Sequence, residues 1–529
     1  MTARPLALAP PRRDLQVIPP PPTRDTPAPA PTERLADGLF LVHGARHAAL
    51  YDVERGAVHW VEAGALAAAE RGDALLVDLL GRGRVGAGHL PEATRAALLG
   101  RGARRPEALP VGRSRRLRFL WIELSAGCNL ACTHCYASSG GEHRSALTTE
   151  GYARLLDDAA AVGCEMVQLT GGEPLLHPDL LPLVDRARGL GLDVELYTNL
   201  ALLTDDLAQA LAARGVSIAT SFYSDRAADH EAVTRVAGSF QATVDGIRRA
   251  LARGIPLRVG VILQGGGYER RDETLAFLVG LGVDPDAVRF DEVRPEGRGV
   301  TDAVPPGPPS GGQDSCSHAP QRAYTRWLDV RDGLVRGNNC WGGELNVTAR
   351  GEVVPCIFER KLAVGHVDAD GAGLSALATG DRARAVWSIT LEECHVCRDC
   401  EFRYACFDCR FSTYRATGDL YAKPPGCTYD PYRGRYEEDP GMPPGAPRRR
   451  EDLIVEEVED GLVALDEARG EAHALNATAA AVWELLDGRR DVTAVAGIIA
   501  DVTGAPPERV RADVEAAVVD LAARGLLQA

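Results

Sequence analysis

The sequence predicts an α/β chain built round a partial (β/α)6 barrel of the TIM type, with a cysteine-rich extension and a small α+β domain at the C-terminus. Three observations carry this. Six short β-branched runs alternate with amphipathic helical stretches across residues 115–300. The first run leads straight into three closely spaced cysteines. A second cysteine-rich stretch and a compact acidic tail follow. The runs are 119–124, 166–170, 194–198, 217–221, 256–263 and 288–293, with helical patterns between them, as at 148–162 and 179–190. Parallel strands joined by right-handed crossovers give an open or partial barrel, and such barrels do their chemistry at the C-terminal strand ends. A cysteine loop after the first strand lies where a site belongs.

At 529 residues the chain exceeds one compact core. Residues 1–34 are Pro-rich and read as disordered. Residues 35–110 form a small domain, 115–300 the barrel, 325–430 the stretch with eight of the 13 Cys, and 451–529 the tail. Pro/Gly-rich stretches at 304–320 and 431–450 separate them. The net charge of −15 argues against a nucleic-acid partner, whose phosphates call for clustered cations. No run of about 18 apolar residues predicts a membrane span, and the N-terminus has no apolar signal core. A cytoplasmic protein is expected, in which short-spaced Cys read as metal ligands rather than disulfides. Cys164, in an apolar helix-like stretch, reads as a buried thiol.

Residues 128–136 read Cys-Asn-Leu-Ala-Cys-Thr-His-Cys-Tyr. This spacing lets three thiolates of one loop face one cubane whose fourth iron lacks a protein ligand, the open position a catalytic cluster needs. The same thiolates with His134 could instead bind zinc. The loop, with Gly171-Gly172-Glu173-Pro174 ending the next strand, resembles the radical S-adenosylmethionine (SAM) superfamily. The resemblance implies a 4Fe-4S cluster on Cys128, Cys132 and Cys135, and SAM held on its free iron by amino and carboxylate groups. It also implies a SAM-methionine contact at Gly171, Gly172, Glu173 and Pro174. Tyr136 is the nearest aromatic where the family carries one; the usual site, before the last Cys, holds His134. Ser221, at the end of the fourth strand, is a ribose-contact candidate, with a locally bonded hydroxyl as the plainer reading. Asn199, after the third strand, is a weaker one. No general base can be named.

Downstream come Cys340, Cys356, then Cys394, Cys397, Cys400, Cys406, Cys409 and Cys427. This resembles the SPASM extension of radical SAM enzymes, which implies two auxiliary 4Fe-4S clusters, three in all. Cys397, Cys400, Cys406 and Cys427 would bind one. Cys340, Cys356 and Cys409 would bind the other, its fourth ligand being Cys316, Cys394 or a substrate atom. A pair of structural zinc sites is the alternative. Arg-Pro-x-Gly-Arg-Gly at 294–299 looks like the barrel end of these enzymes.

The tail suggests strands at 453–458, 462–466 and 472–475, then helices at 479–486 with Thr478 as N-cap, at 492–502 and at 507–524. Leu475-Asn476-Ala477-Thr478, Trp483-Glu484-Leu485-Leu486-Asp487-Gly488 and Gly525-Leu526-Leu527 resemble the peptide chaperone of pyrroloquinoline quinone biosynthesis. That family is a small winged-helix fold which takes a precursor-peptide leader as an added strand. A DNA-binding winged helix is disfavoured by 17 Asp and Glu against 6 Arg in the tail. Residues 50–59 parallel 464–473, with Asp, Arg, Gly and His at the same offsets, which suggests a second recognition-type unit. A flexible 431–450 would let the tail range roughly 25 Å.

The resemblances together imply a radical SAM/SPASM maturase. It would form a 5′-deoxyadenosyl radical, with an external electron donor, and crosslink a ribosomally made precursor peptide through a thioether or carbon–carbon bond. A peptide-derived redox-cofactor enzyme, a sulfatase-maturing type oxidase and a zinc-bound peptide-binding protein are the alternatives.

Overall fold

The computed structural model describes residues 32–54, 57–61, 105–106, 116–142, 144–264, 269–294, 296–299, 340–406, 409–424, 427, 429–433, 435–436, 446–458, 461–466, 471–488 and 490–528. Cys316, the 304–320 stretch and most of the proposed N-terminal disorder lie outside them.

An N-terminal sheet holds β1 (Thr32–Ala36), β2 (Leu39–His43), β3 (Ala48–Asp52), β4 (Ala57–Val61) and β5 (Arg105–Pro106), in the order β4-β3-β2-β1-β5. Residues 32–34, expected as disordered, are paired with β2. The barrel strands are β6 (Phe119–Ser125), β7 (Met166–Gly171), β8 (Asp193–Tyr197), β9 (Ser217–Phe222), β10 (Leu257–Leu263) and β11 (Val288–Glu292). Neighbours in sequence pair in parallel, as the alternation predicts. Between them run α1 (Thr149–Ala161), α2 (Leu180–Gly189), α3 (Asp205–Ala213), α4 (Ala227–Thr234), α5 (Ser239–Ala252) and α6 (Arg271–Gly280). Thr148 caps α1 and Thr204 caps α3 through side chains that accept from Gly151 and Leu207 N–H.

Strand period two sorts the two faces. Leu120, Ile122, Leu124, Val167, Leu169, Val194 and Leu196 share a buried cluster with Leu155, Leu156, Leu183 and Val184 of the helices. Each fully buried Leu or Val contributes about 1.5–3 kcal/mol. The alternate residues Glu123, Gln168, Thr170 and Glu195 are buried and polar and face the barrel interior.

The sheet continues beyond β6, where the sequence shows no strand pattern. β12 (Glu344–Val347) lies parallel to β6, and β13 (Glu352–Val354) and β14 (Gly365–His366) extend it antiparallel. Helices α7 (Leu374–Thr379), α8 (Asp381–Trp387) and α9 (Arg410–Thr417) follow. Trp341, Val353, Trp387 and Phe411 belong to the barrel's own cluster, so this extension shares the core. A hairpin of β15 (Tyr429–Asp430) and β16 (Arg435–Tyr436) comes next.

The tail is β17 (Ile454–Val458), β18 (Gly461–Asp466) and β19 (Glu471–Asn476), then α10 (Ala477–Leu485), α11 (Val492–Thr503) and α12 (Pro507–Ala523). Asn476, rather than Thr478, caps α10, accepting from Ala479 N–H at 2.9 Å. Asn is as good a cap as Thr, and the helix starts two residues early. The free span expected at 431–450 is corrected at both ends: β15 and β16 pair, and Arg448 and Arg449 bridge to Asp487 and Leu527 of the tail.

The N-terminal sheet is buried on both faces. Phe40, Val42, Ala49 and Tyr51 cluster with Phe402, Tyr404, Ala405 and Tyr429 of the extension. Leu39, Leu41, Ala48 and Leu50 belong to the tail's apolar cluster with Leu462, Ala464 and Trp483. The repeat read at 50–59 and 464–473 falls on two hairpins of one register: Leu50 faces His59 and Asp52 faces Ala57, as Ala464 faces His473 and Asp466 faces Glu471.

Candidate active site and auxiliary cysteine sites

Main-chain bonds from three directions hold the loop after β6. Cys128 N–H donates to Gly141 O (2.9 Å). Ala131 and Thr133 N–H donate to Thr234 and Val233 carbonyls (3.0 and 2.9 Å), the free acceptors at the C-terminal end of α4. Arg298 N–H donates to Cys135 O (3.0 Å), and its guanidinium donates to Cys132 O (2.7 Å) and Ser139 O (2.8 Å). The 294–299 motif thus packs on the cysteine loop. Gly297 takes φ +60°, and a Cβ there would stand 2.2 Å from Tyr136 O.

Burial pushes the Cys128 thiol up to about 12 and the Cys132 thiol to about 11. Such sulfurs become thiolates only against a cation, which is how buried cysteines bind metal. The three share one loop and influence one another, and this donor set fits a three-thiolate cubane.

The Gly-Gly-Glu-Pro stretch passes directly beneath. Gly172 N–H donates to Ser125 O (2.7 Å) and Glu173 N–H to Gly127 O (2.9 Å). A Cβ on Gly172 would stand 1.9 Å from Gly127 O, so only glycine permits this approach. The Glu173 carboxylate is wholly buried and accepts from Leu175 N–H (3.0 Å), the Thr198 hydroxyl (2.6 Å) and Asn199 N–H (2.9 Å). It ties the end of β7 to the end of β8, and burial raises its pKa to about 7. Pro174 opens a short 3-10 turn, Pro174–Leu176.

Tyr136 and His134 point to different neighbours. Tyr136 packs edge-on to Phe358 (5.4 Å) under the Arg360 guanidinium (5.2 Å), toward the extension. Arg360 is ion-paired with buried Glu123. His134 lies against the Tyr223 ring (5.2 Å) and Gln264 (3.2 Å to Nδ1). Burial holds it near pKa 4, so it is a neutral aromatic. Tyr223 OH lies 3.8 Å from Cys132 Sγ. The Ser221 hydroxyl pairs with Tyr197 OH on the neighbouring strand β8 (3.1 Å). Asn199 Nδ2 donates to Asn129 (2.8 Å), 3.9 Å from Cys128 Sγ. Deeper in the barrel, Arg258 forks onto Glu195 (2.8 and 2.7 Å), which also bonds Gln168.

Sequence reasoning missed Arg298, Tyr223 and the Glu195–Arg258 pair. Arg298 had a signal, the 294–299 motif. Tyr223 had one too, its place directly after the fourth strand in Phe222-Tyr223-Ser224, while the inward-facing strand residues had only strand parity.

In the extension, Cys397, Cys400, Cys406 and Cys427 line one enclosed space with Phe402, Arg403 and Tyr429. Cys340, Cys356 and Cys409 gather separately, with Cys409 acting on both others. Four thiols round one space and three in a second group are donor sets that fit cubanes. Cys394 is wholly buried and clusters with Cys397 and Cys406, beside the set of four.

Comparison with known proteins gives two family matches: the radical SAM superfamily over residues 122–278, and coenzyme PQQ synthesis protein D (PqqD) over residues 461–527. A PqqA peptide cyclase of Streptomyces rochei is 30% identical over 329 residues, 59% of this chain and 89% of the relative. An AdoMet-dependent heme synthase of Methanosarcina barkeri is 28% identical over 358 residues, 59% of this chain and 97% of the relative. Among solved structures, Streptococcus suis SuiB is similar over 74% of this chain and 99% of its own, at 12% identity and a TM-score of 0.46.

Proposed function

The chain belongs to the radical SAM superfamily, and on that premise we propose that it is a SPASM-type maturase that crosslinks a ribosomally made precursor peptide. The observation that carries this is the pairing of two parts in one chain: a three-thiol loop fastened over a Gly-Gly-Glu-Pro strand end, and a tail matched by PqqD. When bound, the core cluster and SAM supply one-electron cleavage of the sulfonium and hydrogen-atom abstraction from the peptide.

The chain's own residues do the rest. Cys128, Cys132 and Cys135 hold the core cluster; Arg298 and the end of α4 fix their loop. Gly171 and Gly172 let main chain approach SAM, while Glu173 and Pro174 shape the turn beside it. His134, neutral and paired with Tyr223, supplies the aromatic face for the adenine in place of Tyr136. Ser221 faces the ribose. Cys397, Cys400, Cys406 and Cys427 bind one auxiliary cluster, and Cys340, Cys356 and Cys409 the other. An external donor supplies electrons.

The leader docks as a strand on β19. Arg524 Nη1 meets the Ala474 carbonyl at 3.3 Å there, which places that carbonyl on the outer side. Val519 of α12 is 70% exposed and available for an incoming strand to cover. The likeness to a PqqA peptide cyclase favours ring closure within the peptide, through a thioether or a carbon–carbon bond, and the PqqD match equally favours a step toward a peptide-derived redox cofactor.

Anaerobic turnover of the reconstituted enzyme with SAM, dithionite and the precursor encoded beside its gene tests the reading. Mass spectrometry should find the peptide lighter by two hydrogens per crosslink. An unmodified peptide alongside 5′-deoxyadenosine would refute the maturase reading.

A further inference from the structure

Arg410 touches both groups of auxiliary cysteines. It follows Cys409 directly and starts α9. Its main-chain N–H bonds the Cys340 sulfur, in the group of three. Its side chain is only 2% exposed and reaches the other way. There Nη1 donates to Cys394 Sγ (3.0 Å) and to the Leu420 and Ala422 carbonyls (2.7 and 3.1 Å). Its charge also acts on Cys397, in the group of four.

Cys394 is fixed at the same place by backbone strain. Val396 takes φ +68° and ψ −49°, the centre of a γ-turn closed by Cys397 N–H to the His395 carbonyl (2.8 Å), a strained conformation that a β-branched residue adopts only when its surroundings impose it. That turn lets Cys394 and Cys397 face one interior with Leu391 and Cys406.

Building on the auxiliary-cluster reading above, we infer that Arg410 and Cys394 form a buried guanidinium–sulfur link between the two auxiliary sites, and that Arg410 adds to Arg403 and Lys423, which line the four-cysteine space, a third cation that makes the four-thiolate cluster a better electron acceptor. Cys394 is then a positioning residue for Arg410 and not the missing ligand of the three-thiolate cluster. The physical reason is direct. One-electron reduction adds negative charge to a cluster, and a fixed cation in a medium of low dielectric favours the reduced state. The effect is largest at the group of four, where the guanidinium charge acts on Cys397. It is smaller at the group of three, which meets only the main chain.

The test uses full-length, anaerobically reconstituted protein in which Cys128, Cys132 and Cys135 are Ala, so that only auxiliary signals remain. Cys400→Ala and Cys356→Ala assign each electron paramagnetic resonance signal to its cluster, and dithionite supplies the electron in a potentiometric titration. Arg410→Gln should lower the equilibrium constant for reducing the four-thiolate cluster about tenfold, about 59 mV for one electron, and shift the other cluster less. Arg410→Lys should restore most of the shift. Cys394→Ala should keep all auxiliary iron. An unchanged midpoint in Arg410→Gln overturns the inference, as does loss of about four irons in Cys394→Ala, which would make Cys394 a ligand. If Arg410→Gln fails to fold, Arg410→Lys and Cys394→Ala decide it by midpoint and iron content. Should the parent protein bind no auxiliary iron at all, the cluster reading itself falls and takes this inference with it. Iron present with unmoved midpoints sinks the inference alone.

Discussion

Arg298 and Cys132 meet at 2.7 Å, the guanidinium donating to the main-chain carbonyl of the middle cysteine of the core loop. A second nitrogen of the same fork reaches Ser139 O at 2.8 Å, so one side chain spans the loop from both sides of Cys135. Replacing Arg298 by Ala should therefore loosen the loop without removing a sulfur. Outer partners of metal ligands are commonly worth roughly 10–100-fold in affinity or activity. The expected loss of 5′-deoxyadenosine formation is in that range, with the iron content of the auxiliary sites unchanged.

His230 stands on α4, whose terminal carbonyls hold the same loop, and is 1% exposed among Phe222, Tyr223 and Phe240. Burial lowers its pKa from 6.5 to about 4. Between those values the unfolded chain binds the proton and the folded one does not. Its contribution to stability is thus complete above pH 6.5 and is lost as pH falls toward 4. A shift of this size is worth about 3 kcal/mol. His230→Phe should lose less stability than the parent between pH 7 and pH 4.5 in thermal melts of the apoprotein. Glu173 has the opposite slope, its stabilisation fading as pH rises through about 7, so the comparison is parent minus variant at each pH.

The Glu123–Arg360 pair is buried on both sides, at 3% and 8% exposure, and joins the barrel's first strand to the extension. Breaking such a pair strands a charge, at about 3–5 kcal/mol. Arg360→Met should be destabilised by that amount in denaturant titration. The double variant Glu123→Gln with Arg360→Met should recover much of it.

Cys400→Ala and Cys427→Ala should each cost about four of about twelve irons per chain and leave SAM cleavage measurable. Cys164→Ala should cost none, since that sulfur is buried against the Arg118 and Met166 carbonyls.

Ala474 directs its carbonyl away from β18, and in an antiparallel strand a residue's N–H points the same way. Ala474→Pro removes that donor from the open edge while sparing the pairing to β18. Precursor binding, read by fluorescence anisotropy, should weaken at least about tenfold, from the loss of about 1.4 kcal/mol. Peptide-independent SAM cleavage should stay unchanged.

The barrel was legible because its signal is local. Strands such as 166–170 and helices such as 148–162 announce themselves by β-branched runs and apolar period. The cysteine loop was legible because its ligands are adjacent in sequence. What escaped depends on contacts between distant segments. β12 to β14 are too short for a pattern and exist because β6 offers them an edge. Arg298 acts on a loop more than 150 positions earlier, and Tyr223 reaches Cys132 across 91. Tyr136 and His134 are two positions apart, and parity alone did not reveal which faces Tyr223 and which faces Phe358.

The double-sided N-terminal sheet bears on how this molecule is made. Its strands leave the ribosome well before the residues that cover Leu39, Leu41 and Leu50 on one side, which come from residues 453–526. Until α10 to α12 emerge, that side has no native covering from them, and apolar surface in waiting is what promotes aggregation during synthesis. Deleting residues 451–529 should therefore yield poorly soluble protein, and expression should improve when translation is slow or holding chaperones are abundant.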